Sequence, residues 1–402
     1  MKVWIFNHYA ATPNLPGGTR HYDLARELVK RGHRIAVFAS SYNHSELREM
    51  KKYNNGAFLV EDHNGVKFVW LKTHPYKSND RNRIFNMLSY SVNAERFYLK
   101  CNLDAPDIII GSSVHLFAAY TARRIAVRMG VPFIVEIRDL WPKTLIDLGK
   151  SRLHPFILLL GVLERYLYKK SDKIIVLLPG AAGYISGLGI SGDKIVCIPN
   201  GVDMNRLRKN RAARKDQGKF EILYAGAVGL ANNLDVLVDA ADLIKDKIKN
   251  IRVRIIGDGP ERGRLETESL KRGLRNISFE DPVPKDEIFP ILQNADVLFF
   301  NLKDAPVFQY GISSNKLFDY MASGVPLLFS AKAGNNPVEE AKAGLSIMPG
   351  DSRLLAEAMI RLYHMPKKER DRLGRNGRAY IKEHHSIPKL ADKLEYILNE
   401  LV

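Results

Sequence analysis

The stretch DVLFFNLKDAPVFQYGISSNKLFDYMASGVPLLFS, residues 296–330, contains two short apolar runs separated by a segment with helical periodicity. Leu317, Phe318 and Met321 fall on one side of that predicted helix, where they can cover a sheet. A strand, a helix and a second strand in this order form the crossover that joins parallel strands. The stretch therefore predicts a parallel sheet with helices on its faces.

The same alternation of apolar runs and helical patterns recurs in both halves of the chain. Seven strand-like runs lie in the first half and four in the second: residues 2–6, 34–40, 67–72, 107–111, 132–138, 173–178 and 194–199, then 220–226, 252–257, 296–302 and 326–330. A polar, basic segment around residues 201–218 separates the two series. We therefore predict two doubly wound α/β domains facing across a cleft, residues 1–200 and 201–383, with a final helix (384–402) that returns to the first.

Length and composition limit the class of protein. At 402 residues the chain exceeds the roughly 250 to 300 residues at which single cores stop growing, as expected for two domains. Cys101 and Cys197, the only cysteines, have the spacing of neither a metal site nor a disulfide framework. No secretory signal is recognisable, and the best apolar run, residues 155–163, is too short to span a bilayer. These features predict a cytoplasmic protein.

The formal net charge of +17 is typical of a protein that binds nucleic acid, an anionic membrane surface or phosphate-bearing substrates, or of one that has only a well-solvated surface. No zinc-finger spacing, aromatic-basic RNA signature or basic tail accompanies it, so nucleic acid is not the expected partner. Residues 73–100 instead combine Lys77, Arg81 and Arg83 with a helical pattern of apolar side chains, which suits a helix lying on an anionic membrane surface. A half-buried helix with a solvated basic face explains the pattern equally well.

Glycines follow several predicted strands where a helix begins. Ligands of open parallel sheets bind beyond these carboxyl ends, and glycine lets an anion approach the backbone at a helix N-terminus. The candidates for such contacts are Gly17, Gly18, Gly226, Gly229, Gly257 and Gly259, with Asn232 and Asn233 as polar partners. An ordinary flexible turn is the alternative for the first two. The last two nearly match the dinucleotide fingerprint, but Gly263 comes one residue too late, so a nicotinamide cofactor is not expected.

The helix that follows residues 296–302 carries two charged residues that packing does not explain. Its N-terminus is predicted at a run of capping residues, Ser313, Ser314 and Asn315, and its end at Gly324. Lys316 in the first turn opposes the helix dipole by about 0.3 to 1 kcal/mol, which favours a role in binding an anion. Asp319, one turn later, can accept hydrogen bonds from vicinal hydroxyls, so the two suit a nucleoside diphosphate. The alternative is an exposed ion pair between them.

At these residues the chain resembles a known family, the GT-B glycosyltransferases of family 4, and within it the bacterial L-fucosamine-type and other amino-sugar transferases of surface polysaccharide assembly. The resemblance covers essentially the whole chain. Its motifs are the GG loop at residues 17–18, EIRDLWPKTLIDLG (136–149), IPNGVD (198–203), YAGAVGLANNLD (224–235), IGDGPER (256–262) and YGISSNKLFDYMASGVP (310–326). The family implies two Rossmann-like domains and retaining transfer of a sugar from a nucleoside diphosphate, without a metal or other cofactor.

The resemblance also implies roles in donor binding. Asp319 matches the second acid of the family's pair of glutamates eight positions apart, which holds the ribose, and Lys316 resembles a diphosphate or sugar contact. Gly311 stands where the first glutamate is expected, so the backbone amides of residues 311–313 are candidates to contact the sugar instead. The arginine and lysine that clamp the diphosphate in many relatives are absent from AGAVGLANN (residues 225–233). Their expected substitutes are backbone N–H groups with Asn232, Asn233, Lys316, Gly17 and Gly18. By family habit the base is uracil.

In the first half of the chain, candidates for acceptor binding follow two strands. Asp139, in the motif that ends the strand at 132–138, is the preferred catalytic and acceptor-contacting residue, with Arg138 beside it. Capping of a helix ahead of Pro142 is the alternative for Asp139. His115 offers either an acid or base or a histidine with local hydrogen bonds only. Glu136 lies inside an apolar run and is expected to form a structural ion pair.

The expected activity is retaining transfer of a sugar, with an N-acetylated amino sugar as one candidate. The expected donor is UDP-linked, and the expected acceptor is a polyprenyl-diphosphate-linked glycan of O-antigen, capsule or another surface polysaccharide. Lys77, Arg81 and Arg83 are expected to meet this acceptor and the inner face of the bacterial cytoplasmic membrane. Lys316, Asp139 and His115 are the catalytic candidates, because the reaction needs charge stabilisation and a positioned acceptor hydroxyl. A GT-B UDP-sugar 2-epimerase and a non-catalytic sugar-nucleotide-binding partner are the alternatives.

Overall fold

The computed structural model describes residues 1–15, 17–44, 46–54, 56–77, 81–113, 115–147, 149–208 and 218–402. Residues 209–217 of the predicted linker and residues 78–80 of the predicted basic segment lie outside these ranges. The chain divides into two compact units, Met1–Asn200 with Ile387–Val402, and Gly201–Ser386. The final boundary lies at residue 386, where residue 383 was predicted.

The first unit is built on an eight-stranded sheet. The strands of this unit are β1 (Lys2–Phe6), β2 (Arg34–Ser40), β3 (Tyr42–Asn43), β4 (Arg48–Glu49), β5 (Phe58–His63), β6 (Val66–Leu71), β7 (Ile108–Ser112), β8 (Phe133–Ile137), β9 (Lys173–Val176) and β10 (Ile195–Cys197). The sheet has the order β10-β9-β8-β7-β1-β2-β6-β5, and β3 pairs with β4 separately. Every strand of the sheet runs parallel to its neighbours except β5, which is antiparallel to β6.

Helices cover both faces of this sheet. They are α1 (Arg20–Lys30), α2 (Arg81–Phe97), α3 (Leu116–Met129), α4 (Lys143–Asp147), α5 (Pro155–Lys170) and α6 (Ala181–Gly187). Because side chains alternate along a strand, Val3 and Ile5 pack on the α1 side. Trp4 faces the opposite side, where its ring contacts Tyr98 just after α2. On that side α3 packs between α2 and α5.

The second unit is built on a six-stranded sheet in which all neighbours are parallel. Its strands are β11 (Phe220–Ala225), β12 (Ile251–Ile256), β13 (Ile277–Glu280), β14 (Val297–Asn301), β15 (Leu327–Ser330) and β16 (Gly344–Ile347), in the order β13-β12-β11-β14-β15-β16. Its helices are α7 (Asp235–Ile244), α8 (Arg262–Lys271), α9 (Lys285–Asn294), α10 (Asn315–Ser323), α11 (Pro337–Glu340), α12 (Ser352–His364) and α13 (Lys367–His384). The predicted fold class, two doubly wound parallel-sheet domains, is confirmed.

The last helix, α14 (Ile387–Asn399), belongs to the first unit, where it packs against α1. Its buried leucines and isoleucines join the core formed by β1, β2 and α1. No helix within the described ranges is long and apolar enough to cross a membrane.

The position of α10 is fixed by its ends and by α13. The helix begins after Ser314 and ends at Gly324, which has a left-handed φ of 81° and donates its N–H to the carbonyl of Met321. A Cβ on Gly374 of α13 would lie 1.9 Å from the carbonyl oxygen of Gly324. Only glycine therefore lets α13 approach the end of α10 this closely, and the contact holds the helix that carries Lys316 and Asp319.

Candidate functional site

The strand order of the second unit creates a crevice between β11 and β14. The connections leave in opposite directions from these neighbouring strands, and ligands of parallel sheets bind at such a reversal, beyond the carboxyl ends. Tyr224 lies at the end of β11, and Phe300 and Asn301 lie at the end of β14. The side chain of Lys316 reaches this place from the first turn of α10.

Lys316 is held there by neutral groups. Its Nζ donates to the hydroxyl of Tyr224 at 2.8 Å and to Oδ1 of Asn232 at 2.9 Å. The same atom lies 4.2 Å from the ring centre of Tyr224 and 5.1 Å from that of Phe300, within the range of cation–π attraction. Burial lowers the pKa of the amine from 10.5 to about 7. The exposed ion pair with Asp319, the alternative drawn from the sequence, is therefore wrong, since the amine turns toward β11.

The loop after β11 is held by an asparagine that the sequence did not single out. Asn301 is fully buried, and its Nδ2 donates to the carbonyl oxygens of Asn232 at 2.7 Å and Asn233 at 3.0 Å. Asn233 itself has a left-handed φ of 42°. These contacts fix the side chain of Asn232 against Lys316. A polar residue ending an otherwise apolar strand was the available signal, as in DVLFFN at residues 296–301.

The glycines after β11 and β12 bring two loops into direct contact. A Cβ on Gly257 would lie 2.0 Å from the carbonyl oxygen of Gly226, and one on Gly259 would lie 2.4 Å from that of Val228. A Cβ on Gly226 would lie 2.8 Å from Cδ of Lys316. These three glycines make room for backbone and for the lysine side chain. Gly229 precedes the short turn at 230–232 without comparable crowding. Their predicted contacts with an anion stay predictions.

The loop before α10 uses backbone groups that the sequence assigned to a sugar. The N–H of Gly311 donates to the carbonyl of Phe308 at 2.9 Å, and the N–H of Ile312 donates to Oδ1 of Asn335 at 2.6 Å. Two of the three amides predicted to contact the donor sugar are therefore already engaged within the protein, which contradicts that role for Gly311 and Ile312. Ser313, Ser314, Asn315 and Asp319 are partly exposed at the start of α10, where their predicted donor contacts stay predictions.

In the first unit the strand order reverses between β1 and β7, and two histidines meet there. His115 is fully buried, and its Nδ1 accepts the N–H of Ala118, so it caps α3. Because Nδ1 accepts, Nε2 carries the proton and donates it to Nδ1 of His8 at 2.8 Å. Burial, with a contribution from Arg83, lowers the pKa of His115 to about 3. Both ring nitrogens of His115 are therefore engaged inside the protein, as expected from the alternative of a histidine with hydrogen bonds only. Its role as an acid or base stays a prediction.

Glu136 forms the structural ion pair that was expected. Its carboxylate accepts hydrogen bonds from Arg20 at 2.9 and 3.0 Å, from His21 at 2.8 Å and from Ser112 at 2.8 Å, and all four side chains are buried. Burial alone would raise the pKa of Glu136, but Arg20 and His21 hold it well below its usual range. The cluster ties α1 to β7 and β8 beneath the loops that follow them.

A cavity of about 210 Å³ lies next to these loops in the first unit. It brings together two residues predicted for the donor with two predicted for the acceptor, Gly17 and Gly18 with Arg83 and Arg138. His8, Tyr9 and His44 also line it and were missed from the sequence. For His8 the signal was its place two residues after β1, at the carboxyl edge of the sheet.

The other acceptor candidates do not line this cavity. Lys77 and Arg81 are exposed at the start of the α2 region, and Asp139 is exposed just after β8. Desolvation of its carboxylate by the surrounding protein raises the pKa of Asp139, and the charge of the neighbouring Arg138 opposes that rise. Among the residues that the structure describes, no cluster of three or more His, Cys, Asp or Glu side chains is suited to a metal ion.

Both units match models of known protein families. Residues 17–206 match "Glycosyltransferase Family 4", and residues 205–380 match "Glycosyl transferases group 1". Together the matches run from residue 17 to residue 380 without a gap. The chain therefore carries both domains of a family 4, group 1 glycosyltransferase and is an enzyme of this class.

Two curated proteins of Escherichia coli resemble the chain over much of its length. WcaI of strain K12, whose name assigns it as a glycosyl transferase of colanic acid biosynthesis, is 23% identical over 313 residues, 74% of this chain and 75% of that protein. The O-antigen chain mannosyltransferase C is 26% identical over 245 residues, 57% of this chain and 60% of that protein.

Solved structures place the fold in the GT-B class. Sucrose-phosphate synthase of Thermosynechococcus elongatus has a TM-score of 0.78 at 17% identity, over 100% of this chain and 98% of the other. HepE of Anabaena, solved in complex with UDP and glucose, has a TM-score of 0.70 at 14% identity, over 100% of both chains. At these identities the likeness shows the fold alone.

Proposed function

We propose that the chain transfers a sugar, with retention of configuration, from a UDP-linked donor to a lipid-linked glycan in surface polysaccharide synthesis. The observation that carries the proposal is the Lys316 amine, directed by Tyr224 and Asn232 into the crevice between β11 and β14. The names of WcaI and the mannosyltransferase support surface polysaccharide as the product, and the complex of HepE supports UDP. An N-acetylated amino sugar remains the proposed donor sugar by resemblance.

In the proposed reaction the bond between C1 of the sugar and the β-phosphate oxygen breaks, and a bond from C1 to the acceptor oxygen forms on the same face. The proton of the acceptor hydroxyl passes to the leaving diphosphate. Negative charge grows on that diphosphate in the transition state, so a cation placed beside it accelerates the reaction. Lys316 supplies this cation, and Asp319 accepts hydrogen bonds from the ribose hydroxyls. No metal takes part in the proposed reaction.

Binding of UDP to the folded protein tests this proposal. A ligand that binds only the folded state raises the free energy of unfolding, by about 2.7 kcal/mol at 100 times its Kd. We expect UDP to raise the melting temperature of the wild type more than ADP, CDP or GDP, and we expect the shift to disappear in Asp319→Ala. Asp304→Ala, which removes an exposed carboxylate of the same unit, should keep it. A chain that no nucleoside diphosphate stabilises would contradict the donor assignment.

The outer surface of α5 supports docking at a membrane. Leu158, Leu159, Val162 and Tyr166 are exposed on this helix, at spacings that place them along one stretch of its surface. The exposed charges of α5 are all basic, because Glu164 is buried against Tyr168. In the same helical layer, α2 exposes Phe85, Leu88 and Val92 near Arg81. Apolar side chains flanked by basic ones suit the headgroup region of an anionic bilayer.

We expect the protein to float with vesicles that contain anionic lipid and less with vesicles of neutral lipid. High salt should weaken this binding, because the basic residues contribute screened attraction. The double variant Leu159→Glu, Val162→Glu should lose most of the binding, whereas Leu270→Glu, at an exposed leucine of the second unit, should not. If the double variant floats with anionic vesicles as well as Leu270→Glu does, the α5 surface is not the membrane-binding surface.

A further inference from the structure

The charged side chains that line the cavity of the first unit, as far as the structure describes it, are positive. Its lining includes Arg83 and Arg138 together with His8 and His44, and no carboxylate is among the described residues that line it. The Nε of Arg138 is buried and has no hydrogen-bond partner in the described part of the chain. A buried donor left without an acceptor costs free energy, so an acceptor supplied by a ligand would be favourable here.

Three histidines in or next to this cavity have pKa values below the usual range of the imidazole. Burial and the charge of Arg83 together lower the pKa of His44 to about 4 and that of His115 to about 3. Burial, then His115 and to a smaller extent Arg83, also hold the pKa of His8 well below its usual range. His8, His44 and His115, which surround Arg83, are thus neutral at physiological pH. Glu136 and Asp139 partly offset the charge of Arg138, but the buried Nε of Arg138 remains a donor that a ligand could engage.

The size of the cavity and its aromatic lining further limit the class of ligand that it can bind. At about 210 Å³ the cavity is smaller than the roughly 300 to 1,000 Å³ of pockets that enclose a whole drug-sized ligand. It therefore suits one ring or one charged group at the end of a longer molecule. Tyr9, Tyr42 and Trp70 contribute aromatic side chains to the wall, which offer the apolar contact that a sugar ring can use.

We infer that this cavity binds an oxyanion, a phosphate or a carboxylate, carried by the acceptor sugar. The inference rests on the proposed function, because it identifies the charged group of the acceptor. Arg83 and Arg138 hold the oxyanion, and the aromatic side chains hold the ring. The chain would then prefer acceptors whose terminal sugar is a sugar phosphate or a uronic acid over neutral sugars.

Three small probes test this site without donor: glucose 1-phosphate, glucuronate and the neutral methyl glucoside, each titrated into the full chain and followed by NMR. We expect at least one anionic probe to bind tenfold or more tightly than methyl glucoside. Phosphate and carboxylate sources are distinguished by which anionic probe binds. Arg83→Gln and Arg138→Gln should each weaken that binding about tenfold or more, because a charge-assisted hydrogen bond is lost. Arg96→Gln, at an exposed arginine of the same helix as Arg83, should bind like the wild type.

A variant that fails to fold is recognised by its thermal unfolding, and Arg83→Lys then provides a second test, since it keeps the charge and should keep most of the binding. Equal binding of charged and neutral probes, or wild-type binding by folded Arg83→Gln and Arg138→Gln, would overturn the inference. Titration of UDP into the same samples separates the two proposals. UDP binding without any binding of the acidic probes rejects the cavity site alone, while the reverse rejects the donor site alone.

Discussion

Replacement of Lys316 by methionine is expected to lower the rate of sugar transfer about 100-fold to 1,000-fold, the usual cost of losing one group that stabilises transition-state charge. The same change should leave the free energy of unfolding unchanged or raise it. Methionine fills a similar volume, and burial already opposes the charged amine, as its lowered pKa shows. Tyr224 keeps a hydrogen bond to the carbonyl of Ala227 in the variant. Loss of activity without loss of stability identifies a residue kept for function.

The rate should be measured with saturating acceptor, alongside thermal unfolding of each variant. Lys332→Met is the matched control, because it removes an exposed lysine of the same unit that pairs weakly with Asp304 at 3.8 Å. We expect this control to retain nearly full activity. A Lys316→Met enzyme with at least half of the wild-type rate would show that another group stabilises the diphosphate.

Replacement of Gly257 by alanine is expected to destabilise the second unit by about 3 kcal/mol or more. The new Cβ would meet the carbonyl oxygen of Gly226 at 2.0 Å, at a backbone φ of 145° that side chains rarely adopt. Overpacking and an unfavourable φ each cost about 1 to 3 kcal/mol. The atoms that the new Cβ would meet belong to the backbone of Gly226, so no flexible side chain can move aside. The loop that carries Asn232 would also move away from Lys316. We therefore expect UDP binding to be lost together with stability.

Gly263 supplies the control from the same motif. It lies in α8, where a Cβ would meet nothing within 4 Å, and alanine is favoured over glycine in a helix by about 1 kcal/mol. Gly263→Ala should therefore be as stable as the wild type or more stable, with unchanged UDP binding. Thermal unfolding with and without UDP decides both cases. Similar melting temperatures for the two variants would mean that the contact between the loops is not required.

The sequence predicted the inner parallel strands but missed three of the four strands at the sheet edges. Buried parallel strands are near-continuous apolar runs, so β1 and β2 were predicted to the residue. β5, β13 and β16 were missed, because these edge strands are half exposed and mix polar with apolar residues. The fourth edge strand, β10, was predicted because its residues are apolar. The two-residue strands β3 and β4 were also missed. One available signal was overlooked: Asn64 and Gly65, both with positive φ, form the two-residue turn between β5 and β6.

The sequence predicted which positions belong to the candidate site, but it did not predict which side chains contact one another there. A lysine in the first turn of α10 conflicts with the helix dipole, and that conflict singled out Lys316 from the sequence alone. Its partners Tyr224 and Asn232 lie 92 and 84 residues away, so only the fold brings them to the amine. The hydrogen bond between Nε2 of His115 and Nδ1 of His8 likewise joins residues that are 107 positions apart. Residue type and local spacing carry no information on such pairings.

Proton uptake on UDP binding shows whether Lys316 meets the diphosphate of the donor. In the free site the pKa of Lys316 is about 7, so at pH 8 most of the amines are neutral. An adjacent diphosphate favours the charged form, so UDP binding at pH 8 should take up close to one proton, and affinity should fall as pH rises above 7. Calorimetry in buffers of different ionisation enthalpy measures this number. Uptake near one proton in the wild type and near zero in Lys316→Met is the predicted result, whereas UDP binding with the same proton count in both proteins would contradict the claim.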